Sequence, residues 1–151
     1  MRKIVIIVLL LGTINVFAQS EKDKNAVKKA CLNYIEGFYE GDTLKIINSI
    51  SPSLYKFGYW KNKKTGKYRE DGQMTFEQAL KYSKGVLKTK KFAPKTAPRK
   101  VEILDISNHI ASTKITAWWG VDYMLLARKG DKWMIQQVLW EGPLDKKKKK
   151  K

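Results

Sequence analysis

Between Asn25 and Glu40 the apolar residues Val27, Cys31, Tyr34, Ile35 and Phe38 recur three or four apart, the spacing of one helical face. Gly41 supplies a stop and Asp42 an N-cap for a second helix, Thr43 to Ile50, expected to bury Leu44, Ile47 and Ile50 and to end at Pro52. The period then changes. In "LYKFGYW" (54–60), Tyr55, Phe57 and Tyr59 alternate with Leu54, Lys56, Gly58 and Trp60, which predicts a strand. The polar stretch "KNKKTGKYRE" reads as a hairpin, with Thr65-Gly66 at its tip and a return strand through Tyr68. Thr75 and Gln78 form a capping box for a helix through Phe76, Ala79, Leu80 and Leu87.

The last third alternates at period two. "VEILDI" (101–106), "IASTKITAWW" (110–119), "VDYMLLAR" (121–128) and "KWMIQQVLW" (132–140) are separated by short turns, so neighbouring strands run antiparallel. Helices on one side of a curved antiparallel sheet make an α+β domain with a cone open at one end, a natural pocket.

The N-terminus changes the picture of where this domain works. "MRK", an apolar run from Ile4 to Phe17 and Ala18-Gln19-Ser20 have the layout of a secretory signal peptide, residues 1–18, cleaved after Ala18. The run is short for a membrane span, which needs about 20 residues. The expectation is an exported protein, periplasmic or extracellular, with one domain over 19–144. A disordered lysine tail follows at 145–151.

Net charge is +17, and +9 without Arg2, Lys3 and the six terminal lysines. A basic domain attracts anions. The stretches "KNKKTGK" and "KTKKFAPK" read either as solvated loops or as contacts to an anionic lipid or polysaccharide surface. Export argues against nucleic acid as a partner. Cys31, the only cysteine, reads as a small buried hydrophobe.

Three stretches carry a resemblance: "YIEGFYEGD" (34–42), "GYWKNKKTGKY" (58–68) and "TAWWGVDYMLLARKGDKWMIQQVLW" (116–140). With their spacing they cover about residues 25–141. The chain resembles the nuclear transport factor 2-like superfamily, and within it the secreted bacterial group labelled putative lumazine-binding, near the SnoaL-like proteins. The resemblance implies a cone-shaped roll, a strongly curved antiparallel sheet wrapped on N-terminal helices, and a homodimer through the sheet's outer face. Enzymes of the superfamily place an aspartate or histidine inside the cone. This group often has a histidine in the strand holding "DYM". Here Leu125 or a neighbour stands there, and His109, the only histidine, lies in the turn "SNHIA".

That departure weighs against acid–base catalysis. One histidine makes no His/Cys metal cluster, and no metal or cofactor is expected. Asp122 is the conditional catalytic candidate: a carboxylate desolvated among Trp118, Trp119 and Tyr123 could abstract a proton. The competing reading has it beside Gly120, bonded to turn amides and facing solvent. Strand parity puts Asp122, Met124, Leu126 and Arg128 on one face and Tyr123, Leu125 and Ala127 on the other. It also opposes Trp118 to Trp119. The candidate ligand-binding set is Tyr34, Phe38, Tyr59, Trp118 and Tyr123. The expected function is binding of a small, partly planar organic molecule without catalysis. The alternatives are a lyase or isomerase using Asp122, and a basic protein associating with anionic surfaces.

Overall fold

Residues 2–40 form one helix, α1 (Arg2–Glu40), in the computed structural model, which describes residues 2–144 with side chains from residue 21 onward. The expected lysine tail (145–151) lies outside the described residues, as do the side chains of the expected signal segment (1–18). The α1 face read from the sequence is buried: Val27, Cys31, Tyr34, Ile35 and Phe38, joined by Ala30 and Tyr39. Gly41 ends the helix at φ +72°. Asp42 then caps α2 (Thr43–Ile47), its carboxylate accepting from the amides of Leu44 and Lys45.

Helix α2 is shorter than the sequence suggested and presents another face. Ile46 is buried, whereas Leu44 and Ile47 are exposed. The chain leaves the helix early because Ser49, in the turn after it, is already tied to the sheet, its carbonyl accepting from the Ile135 amide. Ile50 opens a strand, β1 (Ile50–Lys61), and Pro52 lies inside it. β2 (Tyr68–Met74) is a charged edge strand. α3 (Phe76–Thr89) starts at the capping box of Thr75 and Gln78 and buries Ala79, Ser83 and Val86, while Leu87 is exposed. Four strands complete the chain: β3 (Lys100–Ile106), β4 (Ile110–Ala117), β5 (Gly120–Lys129) and β6 (Lys132–Gly142).

The strands form one sheet in the order β2-β1-β6-β5-β4-β3. The meander β3 to β6 is antiparallel throughout, and β1 joins it beside β6 in parallel. That single parallel pair leaves no mark in the loops, because its strands lie far apart in sequence. Register shifts at Ile50/Tyr55, Ile103/Asp105 and Leu125/Leu126 mark bulges or irregularities, and bulges bend strands. The sheet curls around α1 as a cone. Its concave face supplies Ile115, Met124, Leu126, Trp133, Ile135 and Val138 to the core against α1.

Candidate functional site

Pairing in the sheet aligns residues into rows across the concave face. One row runs Gly58–Trp140–Asp122–Ile115–Val101, and the row below it Lys56–Val138–Met124–Thr113–Ile103. Gly58 is needed where it stands. A Cβ there would run into the Trp140 backbone carbonyl and indole. The bare backbone lets the Trp140 ring lie across β1, above Lys56.

Asp122 points into the core and is fully buried, not solvent-facing. Its oxygens bond side chains rather than turn amides. The Trp119 indole N–H donates to Oδ1 at 2.6 Å, and the Tyr34 hydroxyl donates to Oδ2 at 2.7 Å. Lys56, from β1, is 7 % exposed; its Nζ donates to the Tyr34 oxygen at 2.7 Å and lies 3.5 Å from Asp122 Oδ2. The ammonium also sits 5.4 Å from the Tyr34 ring centre and 5.5 Å from that of Trp140, within range of cation–π attraction. Four residues from α1, β1, β5 and the β4–β5 turn thus meet in one buried polar knot.

Burial pushes the Lys56 amine below the ordinary lysine range, opposed by the charges of Asp122 and Asp71. Burial also raises the Tyr34 phenol well above its usual value, and the neighbouring Asp122 charge adds to the rise. Tyr34 therefore stays protonated and can act as a donor to Asp122.

Above the knot lies a cavity of about 360 Å³. Tyr34, Lys56 and Trp119 form its floor. Phe38, Trp60, Met74 and Trp140 form the wall, and Trp118, Tyr82, Arg69 and Asp71 stand at the exposed rim. The rings pack edge to face: Tyr34 on Phe38 at 5.0 Å, Phe38 on Tyr82 at 5.6 Å and on Trp119 at 5.9 Å. Tyr39 steadies the rim by accepting from the Trp118 amide at 2.8 Å and donating to the Pro98 carbonyl at 2.7 Å.

Of the residues singled out from sequence, the structure brings Tyr34, Phe38 and Trp118 together in this cavity. Tyr59 and Tyr123 lie elsewhere, on the convex face, 39 % and 50 % exposed. The inward parity set of β1 is Leu54, Lys56, Gly58 and Trp60, and that of β5 contains Asp122. The expected opposition of Trp118 and Trp119 does not hold, because β4 ends at Ala117 and both indoles sit in a turn, each reaching the cavity. Lys56, Trp140, Tyr82 and Met74 were not among the candidates, and Trp119 was read only as a neighbour of Asp122, which it is. Lys56 had a legible signal, a lysine sharing strand parity with Leu54 and Trp60. His109 lies on the exposed β3–β4 turn, and among the described residues no His, Cys, Asp and Glu group could hold a metal ion.

A sequence profile of the family described as "Putative lumazine-binding" matches residues 22–141. The chain belongs to that family. Solved structures similar to it include an NTF-2-like protein of unknown function from Silicibacter pomeroyi, at TM-score 0.59 and 11 % identity over 80 % of this chain and 96 % of that one. An NTF2-like protein of unknown function from Shewanella baltica aligns at TM-score 0.56 and 19 % identity, over 78 % and 91 %. One from Methylobacillus flagellatus aligns at 0.54 and 13 %, over 79 % and 90 %. At these identities the likeness concerns the fold: this member of the family has the α+β cone of NTF2-like proteins. None of the curated proteins matches the chain.

Proposed function

We propose that this protein is exported and binds one small, planar, conjugated molecule in its aromatic cavity, without catalysis by Asp122. The observation that carries the reading is the cavity itself: about 360 Å³, walled by indole and phenyl rings, with a polar floor of Tyr34, Lys56 and Trp119. Such walls stack on flat rings, and a few placed polar groups orient them. The family description names lumazine, a flat fused heterocycle of a size and shape suited to these walls. Asp122 is buried, as an enzyme would require, but it is absent from the cavity lining and both its oxygens are engaged. A carboxylate so placed holds the floor together. An open cavity also favours a ligand over a purely surface-associating role for the exposed lysines.

The partner proposed for the convex face is a second copy of this chain. Tyr55, Phe57, Leu139, Tyr123 and Leu125 are neighbours there across β1, β6 and β5, exposed or half-buried. Contiguous apolar surface of this kind marks an interaction site.

Titration of the purified protein with lumazine and related flat heterocycles tests the binding reading through tryptophan fluorescence. Saturable quenching at one ligand per chain is expected, and Phe38→Ala should weaken it. Native mass spectrometry of protein from its own host should show a retained small molecule. No quenching by any flat heterocycle and no retained mass would overturn the proposal. N-terminal sequencing of the mature protein tests export, with Gln19 expected first.

A further inference from the structure

Lys56 is more than part of a buried ion pair. Its side chain belongs to the cavity floor although the residue is only 7 % exposed, and its Nζ meets Tyr34, another residue of that floor, at 2.7 Å. Asp122, its counter-charge, lies behind Tyr34 and Trp119 and does not line the cavity. The hydrogen bonds run in one direction, from Lys56 Nζ to the Tyr34 oxygen and from the Tyr34 hydroxyl to Asp122 Oδ2. Tyr34 spends its proton on Asp122, so it does not block the amine's lone pair. That lone pair is free to face the cavity whenever the amine is neutral.

From this geometry we infer that Lys56 captures the ligand covalently and reversibly, as an imine with an aromatic or conjugated aldehyde or ketone. The inference rests on the binding reading above and narrows its ligand class. In the step, the Lys56 nitrogen attacks the carbonyl carbon and the C=O π pair moves to oxygen. A proton leaves nitrogen for Tyr34 as Tyr34 passes its own to Asp122, and the reverse shift delivers a proton to the new oxygen. The resulting carbinolamine gives up its hydroxyl with the second nitrogen proton as water, and the C=N bond forms. No oxidant or reductant is needed.

The surroundings suit each part of the step. Burial favours the neutral, nucleophilic form of the amine against the pull of Asp122 and the rim carboxylate Asp71, while the cation of Arg69 stands at the same rim. Tyr34 and Asp122 form a proton path in contact with the reacting nitrogen. The rings of Trp60, Trp118 and Trp140 would hold a conjugated carbonyl compound flat above it.

The test uses the full-length protein at neutral pH with equimolar 2-naphthaldehyde and cyanoborohydride, which reduces any imine to a stable amine. Adducts are then located by peptide mass mapping. The reduced adduct should concentrate on Lys56 and exceed the adduct on every exposed lysine, Lys63, Lys64 and Lys100 included, because the cavity holds the aldehyde over this amine and burial favours its neutral form. Lys56→Met should lose this adduct, and quenching of the wild type by 2-naphthol, a flat probe without a carbonyl, reads binding apart from imine formation. If 2-naphthol binds the wild type and the aldehyde labels only surface lysines, imine capture is wrong and the binding reading stands. If neither probe binds, both readings fall. The wild-type map decides the matter even if Lys56→Met does not fold.

Discussion

Asp122 shows how much one residue's setting decides. Two N–H or O–H donors and an ammonium converge on a carboxylate that has no solvent contact. Asp122→Asn keeps the shape, removes the charge and turns one end into a donor facing another donor. Breaking a buried pair from one side typically costs about 3–5 kcal/mol. Urea unfolding of Asp122→Asn should show a loss of that order, whereas Lys56→Met should cost less, since Asp122 retains Tyr34 and Trp119. Equal losses would show that Lys56 contributes as much as the other two donors together.

Cys31 makes a second residue-scale case. Burial pushes its thiol from 9.0 to about 11, with a weak hydrogen bond to Thr113 at 3.5 Å acting the other way. A thiol raised in the folded state contributes stability that is complete below pH 9.0 and lost as pH rises toward about 11, where the unfolded chain alone has given up its proton. Unfolding free energy should therefore fall across that window, and Cys31→Ala should flatten the fall. Alkylation of native protein at pH 8 should be slow and become fast in denaturant.

Among the elements, β1 is the most informative. Its alternation was plain in the sequence, but not which half faced inward. Tyr55, Phe57 and Tyr59 are the more hydrophobic-looking set, yet Leu54, Lys56, Gly58 and Trp60 take the concave side. That choice follows from pairing: Gly58 must stand beside Trp140, where only a residue without a Cβ fits. Gly58→Val should displace the Trp140 backbone as well as its ring, loosening the β1–β6 pairing at this point, and should cost more than side-chain overpacking alone, about 1–3 kcal/mol. Ligand-induced fluorescence quenching should then need roughly tenfold more ligand, a loss of about 1.4 kcal/mol in binding. Unchanged affinity would mean that Trp140 is not part of the binding wall. The β4–β5 turn teaches the same lesson, since parity cannot be applied to Trp118 and Trp119 once the strand has ended at Ala117.

For the whole molecule, the proposed dimer is the property to test. The convex face places Tyr123 beside Leu139 and Leu125 beside Gln137, with half of each leading apolar residue open to solvent. Sedimentation at micromolar concentration should give twice the chain mass of 17.5 kDa, less the signal segment where it has been removed. Leu125→Lys should shift the protein to monomer while leaving quenching by flat ligands intact, because the cavity opens on the other side of the sheet. A wild-type monomer at every concentration would remove the second copy as the occupant of that face.

Local chemistry was enough to place the α1 core face, the Asp42 cap, the Thr75–Gln78 capping box and the meander, because each depends on residues within one or two turns of one another. Tyr34 and Phe38 were legible for the same reason. The polar knot was not. Tyr34, Lys56 and Asp122 are brought together across 88 residues of chain by the parallel pairing of β1 with β6, a contact with no local signature. The tertiary structure likewise decided which strand faces turn inward, because both faces of β1 and β5 are apolar and period two alone cannot distinguish them. Only the packing of one face against α1, with the other left uncovered, assigns Asp122 to the interior and Tyr123 to the surface.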